Sequence, residues 1–127
     1  MNIEKRPTIL IAEDNESNFF LLLEILKKNY RIIHAINGIE AIQMYKNSRP
    51  DAILMDIRMP QMDGLAATRA IRKSDPDIPI IAVSADAYEQ DKQVAYQSGC
   101  NAYIMKPVDI RLLRETLALL LTSPECV

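Results

Sequence analysis

Asp56 follows the apolar run "AILM" (52–55) and is succeeded at once by a loop punctuated by Pro60 and Gly64. An ionisable group at the lip of a buried run is either a turn or cap residue or a working one. Three other apolar runs end in the same manner. "TILIA" (Thr8–Ala12) leads into Glu13 and Asp14, "IIAV" (80–83) into Ser84, and "AYIM" (Ala102–Met105) into Lys106 and Pro107. Brought together, these carboxylates outweigh the single ammonium group. Their mutual repulsion calls for a divalent cation bound through oxygen, and Mg²⁺ fits that requirement. A carboxylate-bound Mg²⁺ that keeps several waters is in turn a docking point for a phosphoryl group. Asp56, alone at its strand end, is then the natural nucleophile, forming an aspartyl phosphate. Glu13 and Asp14 would hold the metal, and Ser84 and Lys106 are the remaining partners of the phosphoryl oxygens.

Such a site exists only if the run ends converge. The five short apolar runs, with "RIIHA" (Arg31–Ala35) as the second, are rich in β-branched or bulky residues, as strands buried on both faces are. Amphipathic segments alternate with them and predict helices over 17–28, 38–47, 65–73, 88–98 and 110–121, with Gly99 as the stop for the fourth. Strict alternation with short links predicts a doubly wound α/β fold, a parallel sheet with right-handed crossovers and helices on both faces. Ligands of such sheets sit beyond the carboxyl ends of the strands, where the winding reverses. A strand order of 2-1-3-4-5 would place the four marked ends side by side and leave the bland second strand at an edge. His34, the only histidine, falls mid-strand away from the expected site and reads as a packing or edge residue.

The chain has 127 residues, enough for a single domain spanning 1–127, with a core over about 7–122. Its 15 Lys and Arg against 17 Asp and Glu give a formal charge of −2, and no basic block favours direct contact with nucleic acid. Cys100 and Cys126 lack any metal-ligand or redox spacing. No signal peptide or apolar span of membrane length is present, so the expected compartment is the reducing cytoplasm.

"ILIAEDNESN", "ILMDIRMPQMDGLAATRAIR", "IIAVSADAY" and "NAYIMKPVD" resemble, in order and spacing, the motifs of receiver domains of two-component response regulators. The resemblance covers nearly the whole chain and implies a flavodoxin-like fold. By matching position it implies Asp56 as phospho-acceptor, Glu13 and Asp14 as the acidic pair, and Ser84 as a switch hydroxyl. Tyr103 matches the switch aromatic, and Lys106 the phosphate-contacting lysine, followed by a cis bond to Pro107. It also implies that the metal takes the backbone carbonyl of Arg58. Phosphorylation would switch the face formed by the fourth helix, fifth strand and fifth helix. The donor implied is a phosphohistidine on a histidine kinase or a histidine phosphotransfer domain. "MDIRMPQMDG" and "GCNAYIMKP" look most like receivers of hybrid sensor histidine kinases, and both a free-standing single-domain regulator and a domain of such a kinase are compatible with the resemblance. Receivers of winged-helix transcription factors usually have two acids where this chain has Asn101 and Ala102.

The plainer readings are that Glu13 and Asp14 cap the first helix, that Ser84 starts a turn, that Lys106 is a solvated lysine and that Tyr103 packs in the core. No G-x-x-x-x-G-K-[ST] loop or kinase signature is present, so any phosphoryl donor comes from outside. A phosphatase of the haloacid dehalogenase type would need a second Asp at position 58. A flavodoxin would need a Ser/Thr/Gly-rich loop where this chain has "EDNESN". The remaining rival is a receiver-like interaction module that works without phosphorylation, and the presence of all five polar positions argues against it. Arg58 and Asp86, two residues past Asp56 and Ser84, are expected to pair across the site's mouth and obstruct an attacking water.

Overall fold

Residues 6–86 and 88–121 are described in the computed structural model of the chain. Thr122, where the expected core ends, and Cys126 lie outside them. The elements run β1 (Thr8–Ala12), α1 (Glu16–Leu26), β2 (Arg31–Ala35), α2 (Gly38–Ser48), β3 (Ala52–Asp56), α3 (Gly64–Ser74), β4 (Ile80–Ser84), α4 (Glu89–Ser98), β5 (Ala102–Met105) and α5 (Ile110–Leu121). All strand pairs are parallel, in the order β2-β1-β3-β4-β5. This is the doubly wound arrangement expected from the alternation of apolar runs and amphipathic segments, and the flavodoxin-like fold that the resemblance implied.

The apolar runs are continuous because both faces of the sheet are covered. Along β1, Leu10 and Ala12 belong to the layer shared with Ala41 and Tyr45 of α2, Ala67 and Ile71 of α3, and Ala95 of α4. Ile9 and Ile11 point the other way, into the layer of Leu22, Ile25 and Leu26 of α1 and Leu113 and Leu117 of α5. Each such fully buried aliphatic side chain contributes about 1.5–3 kcal/mol relative to its exposed state. Cys100 is 6 % exposed, with its Sγ 4.0 Å from Thr68 Oγ1, and burial pushes its thiol pKa up to about 11.

Local chemistry sets the helix limits. The side-chain oxygens of Asn15, Asn37 and Asp63 accept from the N–H groups of Asn18, Glu40 and Ala66, starting α1, α2 and α3. α4 stops at Gly99, whose φ of 116° is the left-handed conformation that glycine adopts without strain. Arg72 Nε then donates to the Gly99 carbonyl at 2.9 Å, tying the end of α3 to the α4–β5 turn. In register, Ala12 lies opposite Met55, Asp56 opposite Val83, and Ser84 opposite Met105. The carboxyl ends of β1, β3, β4 and β5 therefore open onto one edge of the sheet.

Candidate functional site

Asp56 is the last residue of β3 and only 5 % exposed. Its position is fixed from beneath: Gly64 packs against the backbone of Asp56 so closely that a Cβ there would collide with the Asp56 carbonyl oxygen. The Gly64 N–H also donates to the Ile57 carbonyl at 2.9 Å, which closes the loop after β3. Asp56 Oδ1 accepts from the Arg58 N–H at 3.2 Å. Lys106, at the end of β5, places Nζ 3.3 Å from Asp56 Oδ2 and 3.3 Å from Glu13 Oε1. The Lys106–Pro107 peptide is cis, as the resemblance implied.

Glu13, Asp14 and Asp56 each present a carboxylate oxygen, all within 4.8 Å of one another. Glu13 is buried and Asp14 exposed, so the cluster has a closed floor and an open side. A cavity of about 680 Å³ stands over that side, lined by Asp14, Arg58, Met59, Asp63, Asp86 and Asp91 among others. Burial, and then the neighbouring Glu13 carboxylate, push the Asp56 pKa up from 3.8 to about 7 against the opposing effects of Lys106 and the Arg58 N–H. Burial alone would pull Lys106 down, but Asp56 and Glu13 outweigh it and hold the ammonium above its ordinary value. Like charge crowded into a buried floor leaves the site short of positive charge, and its hard oxygen donors suit a small divalent cation.

Ser84 is buried at the end of β4 and its Oγ accepts from the Asp86 N–H at 3.0 Å. The Tyr103 hydroxyl donates to the Asp86 carbonyl at 2.8 Å, so the aromatic ring is already tied to the β4–α4 loop. Arg58 Nη2 lies 2.7 Å from Asp86 Oδ2, the pairing expected from their charges. All of the expected site residues thus stand at one edge.

Two further residues serve the site through contacts that the sequence does not show. Gly64 reads there only as loop punctuation, whereas its missing side chain is what admits the Asp56 backbone. His34 packs on the edge strand as expected, stacked on Phe19, but it is not away from the site: its Nε2 makes a hydrogen bond of 2.7 Å to the backbone carbonyl of Glu13. The available signal was the β1–β2 pairing, which sets His34 opposite Ile11, two residues before Glu13.

The model of the response regulator receiver domain matches residues 9–118. The chain belongs to the receiver domains of response regulators. The polar-differentiation response regulator DivK of Brucella anthropi is 39% identical over 113 residues, which cover 87% of this chain and 92% of that protein. A putative response regulator from Chloroflexus aurantiacus superposes with a TM-score of 0.89 at 26% identity, covering 94% of this receiver and 100% of that chain. The receiver domain of a sensor histidine kinase from Pseudomonas aeruginosa, solved with a magnesium ion in its active-site cleft, gives 0.86 at 36% identity, covering 93% of this receiver and 99% of that chain. The expected likeness to kinase-borne receivers holds for the last of these. Among the described residues no helix is long and apolar enough to cross a membrane.

Proposed function

We propose that this receiver takes a phosphoryl group onto Asp56 from a phosphohistidine of a histidine kinase or histidine phosphotransfer domain. The observation that carries the reading is the buried Asp56 carboxylate held between an acidic pair and Lys106. Glu13, Asp14, Asp56 and the backbone carbonyl of Arg58 would hold Mg²⁺, which when bound supplies positive charge to the phosphoryl oxygens and favours the ionised carboxylate. An Asp56 carboxylate oxygen attacks phosphorus in line as the P–N bond to the donor imidazole breaks, its electron pair leaving with that ring. Lys106, already 3.3 Å from Asp56 Oδ2, neutralises a second oxygen. Ser84 turns its hydroxyl from the Asp86 N–H toward the third.

That last movement frees Asp86, whose carbonyl holds Tyr103, and so links the chemistry to the face of α4, β5 and α5. The test is incubation with Mg²⁺ and either acetyl phosphate or a phosphohistidine donor. The expected product is an acid-stable, base- and hydroxylamine-labile label that Asp56→Asn abolishes. A label of full stoichiometry in Asp56→Asn would overturn the assignment.

A further inference from the structure

The carboxyl end of β2 brings no side chain to the acidic cluster, yet both backbone polar groups of Glu13 are satisfied from this strand. The Glu13 N–H donates to the Ala35 carbonyl at 2.9 Å, and the Glu13 carbonyl accepts from His34 Nε2 at 2.7 Å. A carbonyl only accepts, so Nε2 carries the proton. The imidazole is itself held, because the Phe19 ring of α1 stacks on it with centroids 3.6 Å apart and planes 6° from parallel.

We infer that His34 is a positioning residue for the cation site, setting the peptide plane between Glu13 and Asp14 and thereby the direction in which both carboxylates point. The inference rests on the proposed Mg²⁺ site. The carbonyl of Glu13 and the N–H and Cα of Asp14 share one rigid plane, so fixing the carbonyl fixes the base of the Asp14 side chain. Asp14 is the exposed member of the cluster and faces open solvent, where side-chain packing does little to orient it. Glu13 Oε2 also accepts from the Asn15 N–H at 3.2 Å, and Asn15 caps α1. The segment 13–15 is therefore strung between an imidazole on one side and the first turn of α1 on the other. Phe19, one turn into α1, closes the circuit by stacking on that imidazole. Orientation of metal ligands by a surrounding ring of hydrogen bonds is a general determinant of metal affinity, and here it acts through the backbone.

His34→Gln and His34→Met separate the donor from the bulk of the ring. Gln carries an amide N–H at about the reach of Nε2, and Met has similar length and no donor. The Mg²⁺ dissociation constant of the whole chain, measured by calorimetry at fixed salt, is expected to rise roughly three- to tenfold in His34→Met, as for loss of one hydrogen bond. In His34→Gln it should stay within about twofold of the parent. Thermal unfolding without metal is recorded alongside, since a residue that only packs would lower the melting temperature and leave the dissociation constant alone. Parent-like Mg²⁺ binding by His34→Met overturns the inference, and so does equal weakening by both variants.

If the parent itself binds no Mg²⁺, the proposed cation site fails as well, which is a different result from loss of the His34 effect alone. Should His34→Met fail to fold, nitrogen-15 signals of the parent imidazole decide the matter. They are expected to show the Nε2-protonated form and to move when Mg²⁺ is added, and signals unmoved by Mg²⁺ overturn the inference.

Discussion

The β3–α3 and β4–α4 connections leave the same edge of the sheet and flank the same cluster, yet they are built in opposite ways. The first is locked. Gly64 sits against the Asp56 backbone, Met59 is buried, Asp63 caps α3 with a hydrogen bond of 2.8 Å, and Ala67, Thr68 and Ile71 anchor the helix in the core. The second is lightly held. α4 is preceded at its cap position by Tyr88, which makes no side-chain cap, and only Ala95 and Ser98 of its ten residues are buried. Tyr88, Val94 and Tyr96 stand exposed. The contrast teaches how one site combines accuracy with movement. Asp56 ends the strand that leads into the rigid connection, while the β4–α4 loop, whose Asp86 carbonyl holds the Tyr103 hydroxyl, belongs to the side with little to lose by moving.

The strongest test of that contrast is truncation on each side. Ile71→Ala in α3 should cost about 2–5 kcal/mol in urea unfolding, whereas Val94→Ala in α4 should stay within about 0.5 kcal/mol. Amide exchange in α4 should correspondingly outpace that in α3. Equal costs would erase the distinction.

Next comes the charge stored on the rigid side. With Asp56 raised from 3.8 to about 7, the folded chain keeps a proton that the unfolded chain has released. This contribution is therefore favourable near pH 4 and is lost as pH rises through about 7. Without divalent cations, the urea midpoint should fall over that window. The slope should flatten in Asp56→Asn and on addition of Mg²⁺, whose binding favours the folded state by mass action. A parent midpoint independent of pH over this range would show that the carboxylate is not crowded as described.

The caps give a smaller effect. Asp63→Ala removes a working cap and should cost about 0.5–2 kcal/mol, while Tyr88→Ser supplies one that α4 lacks and should add up to about 1 kcal/mol. A stabilised α4 should also narrow the difference in amide exchange between the two helices. Smallest is the bridge between the two connections, Arg58 to Asp86. Arg58→Ala or Asp86→Ala should speed loss of the aspartyl phosphate by a few-fold, with the difference between parent and variants shrinking as salt screens the pair. Unchanged hydrolysis in both variants would show that the pair does not shield the phosphoryl group from water.

What the sequence disclosed follows from the same physics. The strands are legible because burial on both faces leaves unbroken apolar runs, and β3 and β4 each extend one residue further only because Asp56 and Ser84 still pair in register. The start of α3 was expected at Leu65 and falls at Gly64, since Asp63 rather than the apolar period sets the boundary. The polar strand ends, and the opposite charges of Arg58 and Asp86, disclosed most of the site. Illegible were the contacts made to backbone atoms. The hold of His34 on the Glu13 carbonyl and of Tyr103 on the Asp86 carbonyl leave no mark on the acceptor's identity. Gly64 is hidden for a related reason, because close approach is a property of the neighbour it admits.

Cys100 turns this uneven anchoring into something that can be counted. Its thiol is buried where α4 hands over to β5, and at a pKa of about 11 it stays protonated and unreactive while the helix is seated. Alkylation at neutral pH then proceeds only through excursions that expose it. In a Cys126→Ser background the chain carries its own clock, whose rate reads how often the α4 end of the molecule lifts, with no attached label to disturb it.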